Sequence, residues 1–134
     1  MYAPGVLFLK DLSKSPYMAT STPRQTVLSF LKAMNTEDFA SARKCTETKL
    51  SFLGVLGARE GADAYFRDME KMKLKYDVKQ IFTDGNYVCV IFDISMAGAK
   101  TTSCGLYHVE TGKITSIRLI FDPRPILALS KKKS

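Results

Sequence analysis

His108 is the single histidine in the chain of 134 residues, and it is the first side chain to question for chemistry. An imidazole titrates near neutrality, so it suits general acid–base work. One histidine cannot form a histidine-rich metal site. The three cysteines, Cys45, Cys89 and Cys104, show neither a Cys-x-x-Cys pair nor a Cys/His ligand spacing. Cys89 and Cys104 lie in strand-like runs, where a free cysteine serves as a small apolar residue. Tyr65, Tyr87 and Tyr107 can donate hydrogen bonds, although aromatics at these spacings also suit a core or an interface. Arg118 and Asp122 share a strand face but stand four residues apart, too far to pair directly by spacing alone. Asp93 lies opposite an apolar face and reads as surface or interface. The sequence has no P-loop, dinucleotide fingerprint, Gly-x-Ser-x-Gly elbow or metal motif. Neither a metal nor a cofactor is expected.

These residues are positioned by a second half that reads as sheet. LKYDVKQIF, NYVCVIFDISM, TTSCGLYHV and KITSIRLIF are rich in β-branched and aromatic residues. The turns between them are Asp84-Gly85, Ala97-Gly98-Ala99-Lys100 and Thr111-Gly112, where glycine adopts the positive φ that tight hairpins need. This predicts a four-stranded antiparallel meander. Val88, Val90, Phe92, Ile94 and Met96 form one continuous apolar face on its second strand. Asp122-Pro123-Arg124-Pro125 ends the last strand, because two prolines cannot continue a ladder.

The first half reads as helical. Thr22 and Pro23 suit an N-cap and a first helical position, and Val27, Phe30, Leu31 and Met34 follow at helical spacing up to Asn35. Thr36 is placed as the cap of a second helix, with Phe39, Ala42 and Cys45 on its buried side. SFLGVL, interrupted by Gly54, reads as an irregular strand or a strand and loop. Gly61 introduces a third helix, in which Tyr65, Met69 and Met72 recur at i, i+4 and i+7. Helices set before an antiparallel sheet define the α+β class.

Length and composition fit one domain. The expected division is a flexible arm over 1–22, a domain over 23–127 and a basic tail over 128–134. Residues 1–17 are expected to be dispensable. The net charge is +7, and Lys131-Lys132-Lys133 supply three of those charges. Without a helix-turn-helix, zinc finger or RNP-type pattern, this reads as a solvated surface rather than a nucleic-acid site. No apolar run is long enough to span a membrane. The absence of a signal-peptide pattern and the odd cysteine count predict a cytoplasmic location.

Three stretches carry a family resemblance. Phe30 to Phe39 is similar to an F-x-x-A-x-N-x-x-D-hydrophobic link between two helices. Arg59 to Phe66 is similar to an R-G-x-x-A-I-x-x-F-F helix entry, and Gly112 to Asp122 to a G-K-I-x-x-I-x-x-Y-x-D last strand. In this order and spacing, over roughly residues 23–125, the chain resembles the nuclear transport factor 2-like superfamily. That superfamily includes SnoaL-like polyketide cyclases, ketosteroid isomerases and limonene epoxide hydrolase. The resemblance implies a cystatin-like cone, with three N-terminal helices packed in the concave face of a curved, mostly antiparallel sheet. It also implies a homodimer that packs sheet against sheet. Tyr87, Ile91, Tyr107, Ile114 and Ile120 are the side chains expected on that outer face.

The resemblance also says what is missing. Phe30 stands where ketosteroid isomerases have a tyrosine donor, Phe52 where they have a carboxylate base, and Cys104 on or near the position of a protonated aspartate. No Arg-x-Asp pair of the limonene epoxide hydrolase kind occurs in the meander strands. The expected pocket is bounded by Phe30, Met34, Phe52, Tyr65, Met69, Cys104, Leu106 and Phe121, with His108 inside as the candidate catalytic residue. The leading expectation is an apolar pocket for a small hydrophobic molecule. The alternatives are a SnoaL-like cyclase, isomerase or hydrolase using His108 as acid or base, and a protein-interaction adaptor.

Overall fold

A computed structural model describes the backbone of residues 22–133 and the side chains of residues 22–129. Of the expected arm, only Thr22 is within the described residues; the expectation that residues 1–17 are dispensable lies outside them, as do the side chains of the lysine tail.

Helix α1 (Pro23–Asn35) opens with a reciprocal capping box: the Gln25 backbone N–H donates to Thr22 Oγ1 and the Thr22 N–H to Gln25 Oε1, each at 3.1 Å. Its buried stripe holds Val27, Phe30, Leu31 and Met34. Helix α2 (Phe39–Lys44) is capped by Asp38 rather than Thr36, since the Ser41 N–H donates to Asp38 Oδ1. The Thr36 hydroxyl instead donates to the carbonyls of Lys32 and Ala33 and closes α1.

The strands are β1 (Thr46–Leu53), β2 (Ala58–Glu60), β3 (Lys75–Asp84), β4 (Tyr87–Met96), β5 (Ala99–Glu110) and β6 (Lys113–Phe121), with α3 (Ala62–Met72) between β2 and β3. The expected irregular strand or strand-and-loop is β1, whose register against β6 shifts between Thr46 and Ser51, followed by a short loop and a hairpin return as β2. The six strands form one open, curved sheet in the order β2-β1-β6-β5-β4-β3. All neighbours are antiparallel except β1 and β6. Helix α1 lies across the concave face against β3 to β6, and α3 packs on β1 and β2. The architecture is α+β, as expected. The basic tail is different: α4 (Arg124–Lys133) continues directly from the last strand. Pro125 falls in its first turn, where the missing N–H costs nothing, so the prolines that end the strand also begin a helix.

The register of β5 overturns one expectation. Val90 pairs with Gly105 and Val88 with Tyr107, and directly paired residues share a face. The inner face of β5 is therefore Thr101, Ser103, Gly105, Tyr107 and Val109, all buried. Cys104, Leu106 and His108 point to the convex side. On β6 a bulge follows Ile114: Val109 pairs with Ile114, but His108 pairs with Ser116. The extra residue lets Ile114 and Ile117 both face inward. Tyr107 and Ile114, expected on the outer face, are consequently in the core.

Candidate functional site

A cavity of about 360 Å³ opens at one end of the concave face. Phe52 of β1 with Tyr65 and Met69 of α3 form one wall. Tyr76 of β3, Ile94 and Met96 of β4, and Thr101 of β5 form the sheet side, with Leu119 and Phe121 of β6 beside them. Ile126 of α4 closes the end. Arg59, Asp68 and Lys71 stand at the mouth, where Arg59 Nε donates to Asp68 Oδ2 at 2.7 Å.

The residues that line this space are not those that fill the core beside it. Phe30 is fully buried, with ring centroids 6.5 Å from Tyr65, 6.4 Å from Phe66 and 6.1 Å from Tyr107. Such separations are those of packed aromatic pairs. Phe30 and Met34 are therefore core residues behind the cavity. Phe52, Tyr65, Met69 and Phe121 do line it together, with the Phe52 and Tyr65 rings in tilted contact at 5.2 Å between centroids.

The wall carries one polar feature. Tyr65 and Tyr76 are both buried on this wall. Burial raises the Tyr65 phenol well above its ordinary range, and the neighbouring Tyr76 and Tyr107 raise it further. Burial likewise raises Tyr76. Both stay protonated at neutral pH and can act as neutral hydrogen-bond donors and acceptors. Thr101 Oγ1, also on the wall, donates to the Asp122 carbonyl at 3.2 Å, which leaves its lone pairs able to accept. A mostly apolar wall with a few hydroxyls can hold a small apolar molecule through one carbonyl or hydroxyl group.

His108 is not part of this site. It faces the convex side and lies seven residues along β5 from Thr101, roughly 23 Å at about 3.3 Å per residue. Its Nδ1 is 2.8 Å from Thr115 Oγ1, whose own proton goes to the His108 carbonyl at 3.2 Å. The ring lies 4.5 Å from that of Tyr87, and Nε2 is 3.7 Å from Glu110 Oε2. Cys104 and Leu106 share this outer surface. The reason is parity: a turn of either two or four residues between β4 and β5 pairs the inward, even-numbered residues of β4 with odd-numbered residues of β5. The observed turn is the two-residue Ala97-Gly98, both at positive φ.

Sequence reasoning did not assign Tyr76, Ile94, Met96, Thr101, Leu119 or Ile126 to the pocket. The apolar alternation on β4 already marked Ile94 and Met96, and Leu119 shares its strand face with Phe121. Ile126 had no signal, because α4 itself was unexpected. Among the described residues, no group of three or more His, Cys, Asp or Glu side chains could hold a metal. No described helix is long and apolar enough to cross a membrane.

A curved sheet folded over helices with a cavity at its open end defines a cystatin-like cone. The model of the SnoaL-like domain matches residues 27–117, and the chain belongs to this family, within the nuclear transport factor 2-like superfamily. It is similar to an NTF2-like protein of unknown function from Cytophaga hutchinsonii, with 49% identity over 79% of this chain and 95% of the other and a TM-score of 0.78. It shares its fold with an LEH-like epoxide hydrolase from M. tuberculosis, at 23% identity over 85% and 98% of the chains and a TM-score of 0.65. It likewise shares its fold with a protein of unknown function with a cystatin-like fold from Xanthomonas campestris, at 17% identity over 75% and 91% and a TM-score of 0.70. No curated protein matches the sequence.

Proposed function

We propose that this domain binds a small, largely apolar molecule in the cavity of its cone, holding one carbonyl or hydroxyl group against Tyr65 and Tyr76. The observation that carries the reading is the cavity of about 360 Å³, within the range of small-molecule sites, with two buried tyrosines, Tyr65 and Tyr76, on a mostly apolar wall. Arg59 and Lys71 at the mouth favour a ligand whose exposed end is neutral or anionic. The acid–base role considered for His108 has no support from its position, and among the described residues at the cavity none forms a nucleophile–base pair. The reading is therefore of binding rather than turnover.

Native mass spectrometry of the purified protein tests this directly, with a co-purified small molecule as the expected result. An environment-sensitive dye, anilinonaphthalene sulfonate, gives a second readout. Met96→Trp and Ile126→Trp fill the cavity from its rim, and each is expected to abolish dye enhancement while the melting temperature stays within a few degrees. Equal enhancement in the wild type and both variants would place the dye elsewhere and remove the support.

Two further readings belong with this one. The exposed apolar side chains Phe82, Tyr87, Leu106 and Ile120 lie on the convex face, and we propose that a second copy of the chain covers them. Cys45, Cys89 and Cys104 are free thiols, which supports a cytoplasmic location.

A further inference from the structure

Cys89 and Cys104 meet on the convex face, away from the cavity. Cys89 pairs with Leu106 and Cys104 with Ile91, so the two cysteines are diagonal neighbours on adjacent strands. Their sulfurs are 3.3 Å apart, closer than two sulfur atoms rest without bonding or sharing a proton. Both side chains are half-buried. Cys89 borders a shallow groove formed with Phe82, Tyr87 and Leu106, which gives a small reagent a route to its sulfur. Cys45 is remote from the pair, at the end of α2, with its thiol 3.6 Å from the Ser41 carbonyl.

We propose that Cys89 and Cys104 form a redox-active dithiol, which low-molecular-weight disulfides convert into an intramolecular cross-strand disulfide. The Cys89 thiolate attacks one sulfur of the small disulfide. That S–S bond breaks, a mixed disulfide forms on Cys89, and one small thiolate leaves. Cys104 then attacks the Cys89 sulfur, the mixed disulfide breaks, and the second small thiolate leaves. The protein dithiol loses two electrons, the reagent gains them, and the two cysteine protons end on the two released thiols. The Cys104 thiol is pushed up to about 11, chiefly by burial and then by Cys89 beside it. It therefore suits the second, intramolecular step, where proximity makes up for a small thiolate fraction.

Diagonal neighbours are more widely spaced than directly opposed residues, so forming the bond requires a local shift of β4 and β5 along one another. A disulfide formed against such an offset is readily reduced. The pair thus acts as a reversible clamp on the centre of the convex face rather than as a permanent staple.

The test uses the full chain treated with oxidised glutathione, once at high and once at low protein concentration. The expected product has lost two hydrogens in mass and carries no glutathione, and titratable thiols fall from three to one. Peptide mapping should join Cys89 to Cys104, and dithiothreitol should restore all thiols. Cys104→Ser should stop at a single glutathione adduct on Cys89, and Cys89→Ser should give no linked product. The proposal is overturned by a wild-type protein that ends as a glutathione adduct, by cross-links between chains, or by no thiol loss at either concentration. Circular dichroism of both variants checks that they remain folded.

Discussion

Gly105 is the residue on which the inner face of β5 depends. A Cβ there would sit 2.9 Å from Tyr107 Cε1 and 3.0 Å from Phe92 Cζ. Both rings are buried, and neither is the free end of a flexible chain, so the contact cannot be relieved cheaply. Gly105→Ala is expected to destabilise the fold by about 1–3 kcal/mol through overpacking. The shift in the midpoint of urea unfolding, at constant slope, measures it. A midpoint equal to that of the wild type would show that the two rings can move apart. With no side chain at Gly105, the Tyr107 and Phe92 rings pack directly over the strand there.

Between elements, the junction of α1 with β3 is held by one side chain. β3 is an edge strand, with backbone groups that have no strand beside them. Asn35 Nδ2 donates to the Tyr76 carbonyl at 2.8 Å, and the Tyr76 N–H donates to Asn35 Oδ1 at 2.7 Å. The amide thus pairs with the edge as a further strand would. Lys75 Nζ reinforces the junction by donating to the Asn35 carbonyl at 3.0 Å and to Glu37 Oε2 at 2.8 Å. Asn35→Ala leaves both Tyr76 backbone groups without their partner and should cost about 1–3 kcal/mol. Hydrogen exchange at the Tyr76 amide should rise more than at the amides of β5. Uniform acceleration through the whole sheet would instead mean a global loss, with no special role for the junction. Because Tyr76 lines the cavity, the same variant should also weaken ligand binding.

For the whole molecule, the open question is what covers the convex face. Phe82 is 51% exposed, Ile120 55% and Tyr87 48%, and they lie on one side of a sheet whose opposite side is packed with helices. An antiparallel sheet can leave one face to water, but then that face is usually polar. We expect sedimentation at micromolar concentration to give a dimer, and Leu106→Glu with Ile120→Lys to give a folded monomer. A wild-type monomer at these concentrations would contradict the proposal. The cysteine pair lies within the same face, so oxidation should be slower under conditions that favour the dimer.

Local signals in the sequence were sufficient for the α+β class, the family, the capping of α1 and the apolar face of β4. Each rests on interactions within a few residues: a capping box, a helical stripe, an alternation, a glycine turn. Phe52, Tyr65, Met69 and Phe121 could be assigned to the cavity wall on the family resemblance. The inward placement of Cys104, Leu106 and His108 rested on matching Cys104 to a family pocket position, whereas the even-length turn after β4 requires odd-numbered residues of β5 to face inward. The bulge after Ile114 was not legible, since nothing in KITSIRLIF marks where an extra residue is accommodated. Nor was α4, whose prolines read equally well as the end of a strand or the start of a helix. Whether Phe30 lines a cavity or fills a core was settled by tertiary structure alone. That outcome depends on how four aromatic rings from three elements pack together, and no single segment encodes it.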